Sequence, residues 1–437
     1  MIRRAAVAVD RWHGLVLLLA APFFLFPSPV RSLALLVLPG LWLAAWLAGR
    51  PPLPRTPFNG VLLLFSLMLL VSLWTTFDLV FSLPKTTGVL LGLAAFFAIV
   101  RQVRGPAAVW QAALLFILSG GGLVLLGLLG IQWVDKVPLL NAITDRFPAV
   151  IRGLPGAEEG ISANGVAGAL IFIIPIQLMV LGTALAQRPR LPAADPLAAR
   201  PRLWWTAHCL LLALTGGLLF LSQSRSAWLG CAVALGLLLA WRGRRMRWAL
   251  VGLAVGGGVL VFLLGGLPAA LSLAERAIGS DVSLKAVQRE QLWRFGLLAV
   301  RDYPLTGMGL NTFRKALPVL YAIYEVPLDY DFVHAHNHLI QAAIDLGLPG
   351  LVAFLALWWG AAAVLFKAQR ATADPWLRAL TQGLGAGLAA EFVYGLTDVI
   401  SLGAKLGIFF WFVLALSVCL YQATTGANAE KANESRS

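Results

Sequence analysis

The sequence predicts an all-α polytopic membrane protein, with about twelve transmembrane helices and one large polar loop on the outer side. Composition is the first reason. Only 12% of the 437 residues are charged and 59% are hydrophobic, whereas a soluble domain carries about 25% charged residues. Mean hydropathy is +0.82. The second reason is patterning: many apolar runs are about 15–22 residues long, enough to cross a bilayer as helices. Helices satisfy their own backbone hydrogen bonds, as hydrocarbon requires. The period-two alternation of a membrane β-barrel is absent from the sequence.

Taken in order, runs at 12–27 and 31–49 form two spans joined by Pro27-Ser28-Pro29, and a Pro-rich basic loop runs from Arg50 to Arg55. The first run follows Arg3 and Arg4 without a small-residue cleavage site, so it reads as a retained span. Spans at 59–77 and 85–100 precede Arg101 and Arg104, and one at 108–130 leads into the polar loop 132–161. A span at 162–186 precedes the basic loop Arg188 to Arg202. Spans at 203–221 and 226–241 flank Ser222-Gln223-Ser224-Arg225, and the cluster Arg242, Arg244, Arg245, Arg247 precedes a span at 248–268. The last three spans are 349–366, 377–396 and 403–422. The chain thus divides into 1–268, nine spans with short loops; 269–348, a large outer loop; 349–422, three spans; and 423–437, a polar tail expected to be disordered on the inner side.

The formal charge of +14 would suggest nucleic acid on a soluble chain. Here most basic residues lie between spans and orient the chain by the positive-inside rule. With both termini inside, the loops 132–161 and 269–348 fall outside. The cations left on that side, among them Lys85, Lys136, Arg146, Arg152, Arg225, Arg276, Lys285, Arg289, Arg294 and Arg301, suggest an anionic ligand there. The plain alternative is snorkelling to lipid phosphate. Cys209, Cys231 and Cys419 fall inside apolar runs, with neither disulfide nor metal spacing.

Three of the chain's five histidines stand in His334-Ala335-His336-Asn337-His338. A helix from about Asn337 meets stop signals at Gly347 and Pro349. On it His336 shares a face with Ile340, Ala343 and Ile344, while His338, Gln341 and Asp345 form the other. That division favours His338 as the imidazole facing a polar cavity. His334 and His338, at i and i+4, also form a usable metal pair, with Asp331 or Asp345 as a third ligand. A general base needs only one imidazole and no metal, which is the simpler reading. Before a span, the guanidinium of Arg225 in Ser224-Arg225 offers a planar fork to phosphate oxygens at a helix N-terminus, with Ser224 as a helix cap. Arg289 and Trp293 share a face at helical spacing, and Leu292, Leu297 and Leu298 suggest an amphipathic helix on the membrane surface.

These elements together resemble the O-antigen ligase/polymerase superfamily, and most closely the O-antigen ligases. The carriers are His336-Asn337 followed by Gly347 and Gly350, the pair Ser224-Arg225, the span Arg289 to Trp293, and Asn164-Gly165-Val166-Ala167-Gly168. The resemblance implies a GT-C-like glycosyltransferase of the bacterial inner membrane, with its active site on the periplasmic face. It implies O-antigen on undecaprenyl pyrophosphate as donor and a lipid A–core sugar as acceptor, with no cofactor and no metal. By motif the functional histidine is His336; by helix face it is His338. Arg225, Arg289 and Lys85 would bind pyrophosphate, and Asn164, Asn337 and Gln341 would complete the substrate-binding set. No carboxylate pair is evident for a covalent intermediate, so single displacement with inversion is expected. The polymerase of the same superfamily, extending another O-unit, and protein O-glycosylating relatives are the enzyme alternatives. A lipid-linked sugar flippase is the non-enzyme alternative, but it would thread polar residues through the mid-membrane.

Overall fold

The computed structural model describes residues 2–28, 30–133, 136–147, 150–153, 160–187, 190–266, 269, 272–273, 282–321, 334–400 and 402–434, without the side chains of 2, 282–288 and 427–434. The protein is an all-α polytopic membrane protein. Helix α1 (Ile2–Arg11) meets α2 (His13–Leu25) at a bend of 69°. A short 3-10 turn leads into α3 (Val37–Leu47), followed by α4 (Asn59–Thr75), α5 (Leu79–Gln102) and α6 (Gly105–Gly130). After the small α7 (Pro138–Thr144) come α8 (Ala163–Ala186), α9 (Pro201–Leu221), α10 (Arg225–Ala240) and α11 (Arg244–Leu263). The segment after α11 holds α12 (Val282–Asp302) and α13 (Phe313–Leu320). The chain closes with α14 (His338–Ala371), α15 (Pro375–Gly395) and α16 (Ile408–Glu434). Among the described residues, 7 helices are long and apolar enough to cross a membrane, or up to 8 if the bent pair is one span.

Polar caps set where several helices begin. Asp78, Ser162, Asn337 and Asp374 each accept a first-turn backbone N–H with a side-chain oxygen, satisfying donors that a helix start leaves open. The centre of the bundle is α8, packed against α15 and α10. Small residues allow this: Cβ atoms on Gly383 and Gly387 would collide with the α8 backbone at Ile176 and Phe172, and one on Gly230 with the Ala390 carbonyl. Close backbone approach of this kind holds helices together where lipid offers no hydrophobic drive. By contrast α11 buries no residue.

Several elements differ from the sequence reading. The polar loop after α6 is pinned by a two-residue parallel pairing of β1 (Ile131–Gln132) with β2 (Ile161–Ser162). Residues 269–348 include two helices with their own small core, where Leu292, Ala299, Phe313, Leu317, Ala335 and Ile344 pack together. Within α12, Leu292 therefore faces protein, and only Leu297 of the leucines expected on the membrane surface is strongly exposed. Residues 423–434, expected as a disordered tail, continue α16.

The stop signals at Gly347 and Pro349 act as a break inside α14. Gly347 has φ 70° and ψ 177°. The freed groups pair with the preceding loop: Leu348 N–H donates to the Pro304 carbonyl and the Met308 N–H to the Ile344 carbonyl, both at 2.7 Å. A Cβ on Gly347 would lie 2.5 Å from the Leu305 carbonyl oxygen. Positive φ plus this contact predicts that Gly347→Ala destabilises the protein by about 1–3 kcal/mol. The check is thermal unfolding in detergent, and an unchanged unfolding temperature would show that the break tolerates a side chain.

Candidate active site

The histidine stretch meets the turn after α15. His336 adopts φ 49°, an uncommon conformation for a residue other than glycine. Its N–H donates to His334 Nδ1 at 3.2 Å. The next residue, Asn337, fixes the geometry twice over. Its side-chain oxygen accepts the Leu339 and Ile340 N–H groups, and its amide donates to the Leu396 carbonyl at 3.1 Å. The result places His336 Nδ1 3.2 Å from Asp398 Oδ1. The carboxylate is buried, 3% exposed, whereas the imidazole is 26% exposed.

Asp398 is held from every side. The Val399 N–H donates to its Oδ1 at 2.9 Å, and Asn164 donates to its Oδ2 at 2.8 Å. Asn164 in turn accepts from Lys136 Nζ at 3.2 Å, and Tyr394 donates its hydroxyl proton to the Asn164 carbonyl at 3.0 Å. Lys136 also donates to the Gln223 carbonyl. The network therefore links the histidine stretch, the α15 turn, the start of α8 and the turn before α10. Burial pushes the Asp398 carboxyl up, but the His336 hydrogen bond and the charges of His336 and His334 outweigh it, leaving it below its usual range. Burial and the neighbouring His336 hold His334 down to about 3, against the pull of Asp398. The charges of Lys85 and Arg289 push His334 the same way, so both cations sit around the cluster.

The remaining expected residues fall into two groups. Arg225, half-buried, opens α10, and the neighbouring Ser226 hydroxyl lies 2.9 Å from that of Thr397, one residue before Asp398. Ser224 stands at the N-cap but its side chain makes no cap bond; its buried hydroxyl has no partner among the described residues. Gln341 accepts the Ala335 N–H at 2.8 Å and donates to Asp345 at 2.9 Å. Asp345 is drawn electrostatically to Lys85, so this second chain ties the histidine stretch to α5.

His338 is elsewhere. Its ring packs edge-on to Phe354, Trp358 and Phe392, with centroids 5.6, 5.6 and 5.1 Å away, and a Cβ on Gly395 would fall on it. Its Nε2 is buried without a partner among the described residues. The helix face expected to line a polar cavity is instead enclosed by the bundle. His338, Gln341 and Asp345 are all buried.

Residues 210–355 match the family model described as O-antigen ligase. Over this segment, about a third of the chain, the sequence is similar to that family. The match takes in Arg225, Arg289 and the His336–Gly350 motif. No curated protein matches the chain.

Lys85, Asn164 and Asp398 lie outside the matched segment yet belong to the same constellation. Sequence reasoning missed Asp398 and Tyr394. The available signal was a lone carboxylate in a very short turn between two spans, which is costly near a membrane and marks function by default. The structure also regroups the metal alternative. Among the described residues, His334, His336 and Asp398 offer ligand atoms within 4.8 Å of one another. A metal held through His336 Nδ1 and Asp398 Oδ1 would replace the hydrogen bond between them. Asp331 and Arg276 lie outside the described residues, as does the Lys285 side chain.

Proposed function

We propose that the protein transfers an O-antigen glycan from undecaprenyl pyrophosphate to a sugar hydroxyl of lipid A–core, at the periplasmic face of the bacterial inner membrane. The observation that carries this reading is the His336–Asp398 contact at 3.2 Å, within reach of the charges of Lys85 and Arg289. With Nδ1–H donated to the carboxylate, the other ring nitrogen, Nε2, carries a lone pair. Nε2 takes the proton of the acceptor hydroxyl while its oxygen attacks the anomeric carbon. The bond from that carbon to pyrophosphate breaks in the same step, with inversion. The leaving group carries away the electron pair, and Arg225, Arg289 and Lys85 stabilise its charge. Asn164 and Asn337 position the acid and the base, and Gln341 braces the loop between them.

The same reading takes the bundle as twelve crossings of GT-C-like type. These are the eight spans with the bent pair counted as one, the shorter apolar helices 31–47, α4 and α10, and α15. The outer segment 269–348 then forms a periplasmic roof over the donor.

Purified protein incubated with lipid-linked glycan tests the proposal. Glycan should appear on lipid A–core, and an excess of chelator should leave the rate unchanged. Extension of another lipid-linked unit instead would assign the polymerase reaction. Loss of activity in chelator, restored by a divalent cation, would make His334, His336 and Asp398 metal ligands. At the anion site, Arg225→Ala should cost about 10²–10³-fold in rate. Arg225→Lys should remain clearly impaired, because it keeps the charge and loses the planar fork. Arg244→Ala on α11 serves as the control and should transfer normally; equal rates for all three variants would reduce Arg225 to an interfacial anchor.

A further inference from the structure

We propose that the protein binds the phosphate headgroup of an anionic phospholipid in a basic cavity at the end of the bundle opposite the histidines. The cavity has a volume of about 1080 Å³ and is lined by Arg50, Arg55, Arg101 and Arg104. Helix α5 runs from Lys85, beside the histidine cluster, to Arg101 here, about 24 Å at helical rise. The other walls are apolar, from Val100 and Val103 after the α5 core and from Cys419 and Ala423 on α16.

The guanidiniums divide into a frame and a binding pair. Arg101, with a side chain 7% exposed, reaches Asp10 at 2.9 Å and donates to the Pro51 and Pro52 carbonyls at 2.7 Å. Arg50 reaches the other oxygen of Asp10 at 2.7 Å. One carboxylate thus fixes two cations and the Pro-rich loop between α3 and α4. Arg55 and Arg104 are exposed, and among the described residues no carboxylate pairs with either. Helix α6 starts in the same wall at Gly105, and no side chain caps it. Its open backbone N–H groups add anion-binding capacity to that of the two guanidiniums.

A free phosphate would use only the polar rim. The apolar walls come from α5 and α16, both apolar enough to span a membrane, and the volume exceeds what one phosphate fills. A charged head with acyl chains satisfies both parts. Basic pockets between membrane helices take anionic lipid headgroups in this way, at about 1 kcal/mol per cation.

The experiment uses full-length protein in neutral detergent, titrated with phosphatidylglycerol, phosphatidylcholine or inorganic phosphate. Native mass spectrometry counts bound lipid, and thermal unfolding reports stabilisation. Phosphatidylglycerol should bind and raise the unfolding temperature, and phosphatidylcholine should do neither. The neutral pair Arg55→Gln/Arg104→Gln should weaken phosphatidylglycerol about thirtyfold, and the charge-reversed pair Arg55→Glu/Arg104→Glu should abolish binding. Arg244→Glu/Arg245→Glu, exposed on α11, should bind like the parent. Equal binding of the two lipids, full affinity in the Gln pair, or the same stabilisation by inorganic phosphate alone would each overturn the lipid assignment.

Discussion

His336→Ala is expected to lower glycan transfer by about 10²–10⁴-fold, the range a general base supplies, with a stability loss limited to the hydrogen bond that buried Asp398 gives up, about 1–3 kcal/mol. The imidazole is 26% exposed and fills no part of the apolar core, so its removal leaves no large void. His338 should behave in the opposite way. It is 6% exposed and enclosed by Phe354, Trp358 and Phe392. His338→Ala should therefore lower stability through the cavity it leaves, and His338→Phe should restore much of that while sparing turnover per folded molecule. Transfer to lipid A–core and thermal unfolding, measured side by side, separate the two. Full turnover in His336→Ala, or loss of turnover in a stably folded His338→Phe, would exchange their roles.

Asp398→Asn should reduce transfer by a similar order, because it keeps the shape and removes the charge that orients and stabilises the imidazolium. The amide also cannot satisfy both neighbours. If its oxygen faces His336, its NH₂ faces the Asn164 amide group, and a donor meets a donor. Parental turnover in Asp398→Asn would leave Asp398 a merely structural partner.

Much of this arrangement was legible in the sequence because short motifs carry their own geometry. The histidine stretch reads as a helix from about Asn337, and α14 starts there, with Asn337 as its cap. Gly347 announces an interruption, and the backbone breaks there. Ser224 has the residue type of a cap but makes no cap bond, since residue type states a capacity and the surrounding turn decides its use. Asp398 was beyond such reasoning: it stands 62 residues after His336, and only the packing of α14 against α15 brings them together. His338 went astray for a related reason. A helical wheel separates two faces but does not say what packs on either, and in the bundle its polar-looking face meets aromatic rings. The two-residue β1–β2 pairing is too short to leave a period in the sequence.

Asn337 spends its carbonyl on the start of α14 and its amide on Leu396. The base and its counter-ion are consequently bolted to one chassis. Fluctuations of the surrounding roof cannot pull them apart unless the first turn of a membrane helix unwinds. Under the proposed transfer, a long glycan pulling on its reducing end would leave the spacing of His336 and Asp398 unchanged.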